Sequence, residues 1–395
     1  MIKYRKMIFV RSIMLSINSE DVKIYVKEHS EELFELHKAL CLIPAPSHHE
    51  EKRAAFCKEW FDKNCGEGAY IDEAKNVIFP YSMTDGCRIS VFSAHTDTVF
   101  PDTEPMPFED DGDIRRCPGV GDDTAALAIL MITARYFVEN KIPVTGGVLF
   151  IANSCEEGLG NLKGTRAVFA AYGDRVDRLI TYDSKFPVIA DRSVGSHRYR
   201  VEVLTEGGHS WGAFGKRNAI NELAGIVREI YSIKLPVKEG AKVTLNVGNI
   251  SGGTSVNTIA QNAEMLCEYR SDDRDLLAFM QKRFAEIFAA AECEGVKINV
   301  TLVGDRPCMG DVDPSAQAAL AEVCAKYNEE VRGEKVSFVS VSTDANIPLS
   351  MGIPAVAASL IDGGGTHTRE EWIRKSSLLD GLEICIKTTA HAANM

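Results

Sequence analysis

The chain lacks the features that would place it on a nucleic acid, across a membrane or in a disulfide framework. Its 395 residues carry 44 Lys and Arg against 56 Asp and Glu, a formal net charge of −12. No basic stripe is left to track phosphates, which argues for small-molecule chemistry without nucleic acid. No segment approaches the roughly 20 apolar residues that cross a bilayer. At the N-terminus, "MIKYRKMIFVRSIMLSINSED" starts basic, but Arg11 interrupts the apolar run and no small-residue cleavage site follows, so it does not read as a signal peptide. The first dozen residues read as a loosely attached extension. The 11 cysteines, from Cys41 to Cys385, contain no CxxC pair. That pattern suits reduced, packing thiols in a cytoplasm better than a disulfide framework or a thiolate zinc site. Repeats and low-complexity tracts are missing too.

What is present is an α/β alternation. Asp21 to Leu42 has apolar residues at near-helical spacing and is expected to form one helix, broken by "PAPS"; a second follows from about His49 to Asn64. Strand-like and helical runs then alternate to Asp183: "NVIFP", "RISVFSAH", "TAALAILMITARYFVEN", "GGVLFIAN", "GTRAVFAAY" and "RLITYDS". Such alternation predicts a mixed sheet layered by helices. From residue 195 to 305 the order becomes βαββαβ, matching a split ferredoxin-like α+β unit. Beyond Arg306 the first texture resumes, ending in a helix from Ser377 to about Ala390. The expected organisation is a discontinuous catalytic domain, 1–194 with 306–395, and an inserted lid or dimerisation domain, 195–305.

Acids and histidines gather where the predicted strands end. "CEEGLGNLKGTR" puts Glu156 and Glu157 side by side after a core-type strand, although like charges desolvated together repel. "SAHTDTVF" places His95 and Asp97 two apart, hence on one side of an extended backbone. "GVGDDTAAL" carries Asp122 and Asp123 into a helix, where an N-cap accounts for one acid but not both. "TYDS" contributes Asp183, and "IDGGGTHTREEW" brings His367 after three glycines. Nitrogen and oxygen donors in this number, without cysteine, suit catalytic divalent metal ions whose charge would offset the repulsion.

These motifs resemble, in order and along nearly the whole chain, the dinuclear zinc peptidases and deacylases that include carboxypeptidase G, aminoacylase, acetylornithine deacetylase, succinyl-diaminopimelate desuccinylase and peptidase T. "HTDTV", "GVGDDTAA", "CEEGLGNLKG" and "YDS" resemble the family's metal and base motifs, "GGHSWGAFGKRNAI" its lid histidine motif, and "STDANIPLSMGIPAVAASLIDGGGTHTREEWI" its C-terminal metal motif. The resemblance implies two zinc ions, with cobalt or manganese as substitutes. Asp122 would bridge them, His95 and Asp183 completing one site and Glu157 and His367 the other. Asp97 would hold the free nitrogen of His95, and Asp123 would follow a strained, often cis, peptide. Glu156 would be the general base that draws a proton from the attacking water and passes it to the leaving amine.

On the lid, His209 is implied as an oxyanion donor, in its own protomer or across a homodimer; the lesser alternative is a turn histidine capping a strand. Asn257 and Arg270 resemble positions that hold a substrate amide or carboxylate, with Arg306 as a further candidate or an interdomain ion pair. Thr124 departs from relatives that carry a basic residue there. His29, His37, His48, His49 and His391 read as surface residues, and His197 as either surface or core. The expected activity is hydrolysis of an amide bond in a short peptide. An N-acyl amino acid deacylase is the nearer alternative, and a catalytically silent binding protein the farther one.

Overall fold

The computed structural model describes residues 18–395, and the expected N-terminal extension lies outside them. Two compact units form: the described part of Met1–Arg192 with Asp311–Met395, and Ser193–Gly310. The smaller unit thus begins two residues earlier and ends five residues later than the sequence texture suggested.

In the larger unit an eight-stranded sheet runs in the order Tyr70–Ile71, Val77–Tyr81, Gly147–Asn153, Ile89–His95, Val176–Thr181, Ala355–Ala357, Val188–Ser193, Ser337–Val341. Ile89–His95 is parallel to both of its neighbours, whereas Val77–Tyr81 and Val188–Ser193 pair antiparallel, making the sheet mixed. Ile89–His95 and Gly147–Asn153 are buried at every position, the pattern of central strands covered on both faces. Register pairs His95 with Asn153 and Ser93 with Thr181. The residues that follow these strands, Asp97, Ser154 to Glu157 and Asp183, therefore emerge at one rim. The helix Thr124–Glu139 is buried from Thr124 through Phe137, as its all-round apolar surface requires. Its N-terminus delivers Asp122 and Asp123 to the same rim.

The helix expected over Asp21 to Leu42 is two helices, Ser19–Glu28 and Ser30–Cys41. They part at His29, whose φ of −105° and ψ of 13° leave the helical region. The break brings the His29 ring and Glu32 onto Arg135 of the buried helix, at 2.9 Å and 2.5 Å.

His37 is not a surface residue. It lies on the buried stripe of Ser30–Cys41 with Leu33, Phe34, Leu36, Leu40 and Cys41. Its Nε2 lies 2.8 Å from the Val120 carbonyl, which can only accept, so Nε2 carries the proton and Nδ1 accepts from Arg115 Nη1 at 3.1 Å. Burial pushes its pKa down to about 3 from 6.5, and the ring is neutral. Between those values the unfolded chain binds a proton that the folded chain refuses, so stability falls as pH drops through the window, by ~1.4 kcal/mol per pH unit for this group. His37→Gln is expected to remove that part of the slope. Urea midpoints of both proteins at about pH 6 and about pH 4 test it; equal losses in the two would contradict a neutral buried imidazole. His48 and His49 are exposed as expected, while His29 and His391 are half-buried.

The smaller unit has the expected βαββαβ order. Its antiparallel sheet runs Val243–Gly252, Asn262–Ser271, Gly195–Thr205, Val296–Arg306. Helices Ala219–Tyr231 and Arg274–Ala291, capped by Asn218 and Asp273, close one face over Val201, Val203, Met265 and Tyr269. The other face carries the pairs Arg198–Glu268 and Arg200–Glu264. His197 is a packing residue, its Nδ1 2.5 Å from the Tyr269 hydroxyl. All 11 cysteines are free; Cys293 is exposed and so departs from the packing role expected of the whole set. Among the described residues no helix is long and apolar enough to cross a membrane.

Candidate metal centre

His95, the last residue of its strand, is fully buried. Its main-chain N–H donates to Asp123 Oδ2 at 2.9 Å. Asp123 is thus not the side-chain N-cap that its position suggested; it makes no cap bond to the helix and fixes the His95 backbone instead. The peptide between Asp122 and Asp123 is cis. His95 Nδ1 lies 3.0 Å from the Asp97 carbonyl and so carries the proton, while Nε2 lies 3.0 Å from Asp122 Oδ1. The main-chain oxygen of Asp97, rather than its carboxylate at 3.5 Å, is the nearer partner of that imidazole. The Asp97 carboxylate is spent elsewhere: Oδ1 accepts from Glu156 N and Oδ2 from Glu157 N, each at 3.0 Å, with the Ser47 hydroxyl adding a third bond at 2.6 Å.

On its other side, Asp122 Oδ2 lies 3.3 Å from His367 Nε2, which is also 3.2 Å from Glu157 Oε1. Donor atoms of His95, Asp122 and Asp183 all fall within 4.8 Å of one another, as do those of Asp122, Glu157 and His367, so two triads share Asp122. A further group joins His95, Glu156 and Glu157. A cavity of about 250 Å³ adjoins the rim, lined by Asp122, Asp183, Lys185 and Thr366 among others.

This donor set fits metal ions. Burial alone would lower His95, yet its hydrogen bond to Asp122 raises it well above 6.5, so the Nε2 that faces this carboxylate takes a second proton where a cation could sit instead. Burial, joined by the charges of Asp122, Glu156 and Glu157, holds the Asp183 carboxyl well above the usual range. Burial likewise pushes Glu157 up to about 7, and the hydrogen bonds that His367 donates to Asp122 and Glu157 raise it to about 10. Crowded acids without compensating charge take up protons in place of cations, and divalent ions would displace them.

Five participants went unassigned in the sequence. Glu371, fully buried, accepts from Gly119 N at 2.8 Å and Asp122 N at 3.1 Å, and so braces the loop that presents Asp122. Lys185 neutralises it at 2.8 Å. Gly119, at φ 75°, leaves no room for a Cβ, which would sit 2.7 Å from Thr98 Cγ2. Ser47 anchors Asp97, and buried Arg53 reaches the Thr96 carbonyl and Thr124 Oγ1, at 2.7 Å and 3.4 Å. Two left a sequence signal: Gly119 opens "GVGDDTAAL", and Glu371 belongs to the acid pair that follows His367 in "THTREEW".

The remaining candidates belong to the smaller unit. His209 is exposed and its Nδ1 accepts from Trp211 N and Gly212 N, each at 3.3 Å, which leaves Nε2–H as a donor. Asn257 is exposed and accepts from Ser255 at 2.5 Å. The Arg270 fork is engaged by Glu268 at 2.7 Å and 3.0 Å. Arg306 is buried.

Comparison with known proteins follows the same lines. A probable carboxypeptidase of Arthroderma benhamiae is 25% identical over 272 residues, covering 59% of this chain and 57% of that protein, so the match spans little more than half of the relative's length. Among solved structures, aminopeptidase PepT of Bacillus cereus superposes with a TM-score of 0.70 at 21% identity, over 92% of this chain and 99% of that one. A dinuclear metal-binding peptidase of Bacillus subtilis gives 0.61 at 15% identity, over 92% and 98%. These likenesses establish a shared fold. The family pattern described as Peptidase family M20/M25/M40 matches residues 91–393, both triads included, and the chain belongs to that family.

Proposed function

We propose that the protein is a metal-dependent hydrolase that cleaves an amide bond in short peptides, with two zinc ions held by the triads that share Asp122. The observation that carries this reading is the pairing of those triads with Glu156, whose carboxylate lies within reach of His95 and Glu157. When bound, the ions polarise the scissile carbonyl and make water nucleophilic near neutral pH. Glu156 takes the proton of the attacking water and returns it to the leaving amine. Asp97 holds the backbone of Glu156 and Glu157 while its carbonyl orients His95. The test is a screen of zinc-, cobalt- or manganese-loaded protein against di- and tripeptides and N-acyl amino acids. Peptide turnover that depends on metal supports the reading; turnover of N-acyl amino acids alone would replace it with a deacylase, and no hydrolysis of either would sink it.

His209 is the proposed oxyanion donor, supported by the tautomer that its turn enforces. His209→Ala is expected to lower kcat by roughly 10²- to 10³-fold, the range for loss of one such donor, with metal content unchanged. Arg270→Ala should mainly raise KM, since a carboxylate clamp holds ground and transition states alike. Because Glu268 already occupies the Arg270 fork, a substrate carboxylate competes for it and the rise is modest. A kinetically silent His209→Ala would return that histidine to the role of a turn residue.

The smaller unit is also the proposed dimerisation surface. Its edge strands carry exposed apolar side chains, Ile250 on one and Val300 and Leu302 on the other, and unpaired edges invite a second copy. Light scattering at micromolar concentration should give twice the chain mass; a monomer would count against the dimer.

A further inference from the structure

The strand Gly147–Asn153 turns into the Glu156–Glu157 segment through four consecutive main-chain N–H groups, and side chains from three separate places in the chain hold all four. Ser154 N donates to Asn76 Oδ1 at 3.0 Å and Cys155 N to Glu50 Oε1 at 3.2 Å. Glu156 N and Glu157 N donate to the two oxygens of Asp97. Of these holders Glu50 is the least expected. It is a fully buried carboxylate at the start of the helix Glu51–Cys65, far from the strand in sequence.

One oxygen of Glu50 serves three donors: Cys155 N, the Cys155 thiol at 3.1 Å and His48 N at 2.9 Å. The two residues whose N–H groups it receives are both non-glycine and both in left-handed backbone, with φ of 56° at Cys155 and 73° at His48. Such conformations persist only where the surroundings over-determine them. The other oxygen faces Lys75 Nζ at 3.6 Å. Glu50 therefore ties a left-handed turn in "SHHE" to the left-handed turn immediately before Glu156.

We propose that Glu50 is a positioning residue for hydrolysis, one that fixes the Cys155 turn and thereby aims the Glu156 carboxylate without touching substrate. This rests on the reading of Glu156 as general base. The role belongs to the location of the acceptor oxygen rather than to its charge. Glu50→Gln keeps an oxygen there and removes the charge; Glu50→Asp keeps the charge and withdraws the oxygen by about one methylene. A displacement on the order of 1 Å at a reacting group costs up to about 10²-fold in rate.

The experiment compares both variants with wild type and with Glu156→Gln, as full-length metal-loaded protein acting on the best substrate of the screen. Glu50→Asp is expected to lower kcat by about 10- to 100-fold, with KM within about twofold and metal content per chain unchanged. Glu50→Gln should stay within about threefold of wild type, since its amide oxygen still accepts both N–H groups. Wild-type kcat in Glu50→Asp, loss of metal from it, or an equal fall in Glu50→Gln would each overturn the proposal. The two readings fail separately: turnover by Glu156→Gln removes the base assignment itself, whereas an inactive Glu156→Gln beside a fully active Glu50→Asp removes only the role of Glu50.

Discussion

Glu156→Gln is expected to lower kcat by about 10²- to 10⁴-fold while the protein keeps its metal, because a general base contributes on that scale and the amide retains size but not basicity. Glu157→Ala should do the opposite at the metal, since Glu157 supplies a donor to the triad with Asp122 and His367. The two acids are adjacent in sequence, and both backbones hang from one carboxylate, Asp97. Neither substitution removes that anchor, so a difference between them reports on the side chains alone. Metal analysis by mass spectrometry with steady-state kinetics decides the matter. Equal loss of metal from both variants would end the division of labour between the two.

The second large effect is at Asp122. It is the only residue common to the two triads, and its carboxylate faces His95 on one side and His367 on the other. Asp122→Asn is expected to leave less than one ion per chain and no measurable turnover. A thermal readout separates this from misfolding. Metal that binds only the folded state stabilises it by about 2.7 kcal/mol at a hundredfold excess over Kd. Wild-type Tm should therefore rise on adding zinc to metal-free protein, whereas that of Asp122→Asn should not. A variant whose Tm still rises as far as wild type would show that the triads do not depend on a shared carboxylate. Affinity should also climb with pH across the neutral range, because Glu157, at about 7, and His367, at about 10, must give up protons to a metal.

The larger architecture was legible because its signals are local. Alternating strand and helix patterns, and a switch to βαββαβ near residue 195, follow from side-chain period alone. The rim acids were legible for a related reason: buried strands rarely end in clustered carboxylates without a partner. What could not be read was the set of residues that hold the rim in place. Ser47, Glu50, Arg53, Asn76 and Lys185 act through contacts with segments far along the chain, and nothing in their neighbourhoods marks them. His37 is a different case. It stands four residues after Leu33 and three before Leu40 on an apolar stripe, so helical spacing alone could have placed it inside. The break at His29 left no comparable mark, because the apolar pattern runs through it and the contact made there is with Arg135, more than a hundred residues away.

A small sheet has a consequence for how the protein is made. Gly363–Gly364 and Trp372–Arg374 form a hairpin that pairs with Ile114–Arg116, and between the hairpin strands lies the loop that carries His367. The loop with Asp122 follows Ile114–Arg116 in the chain, so this pairing between distant segments joins the two halves of the donor set. Closing so long a connection carries a loop-closure entropy that local helices and hairpins do not. During synthesis, the ribosome must release residues beyond Arg374 before the pairing can occur. Shorter nascent chains expose His95, Asp122 and Asp183 without their opposite wall. With the donor groups assigned as proposed, holding a pair of cations would require chain through Arg374, and truncation before Gly363 would remove it however well the preceding strands have folded.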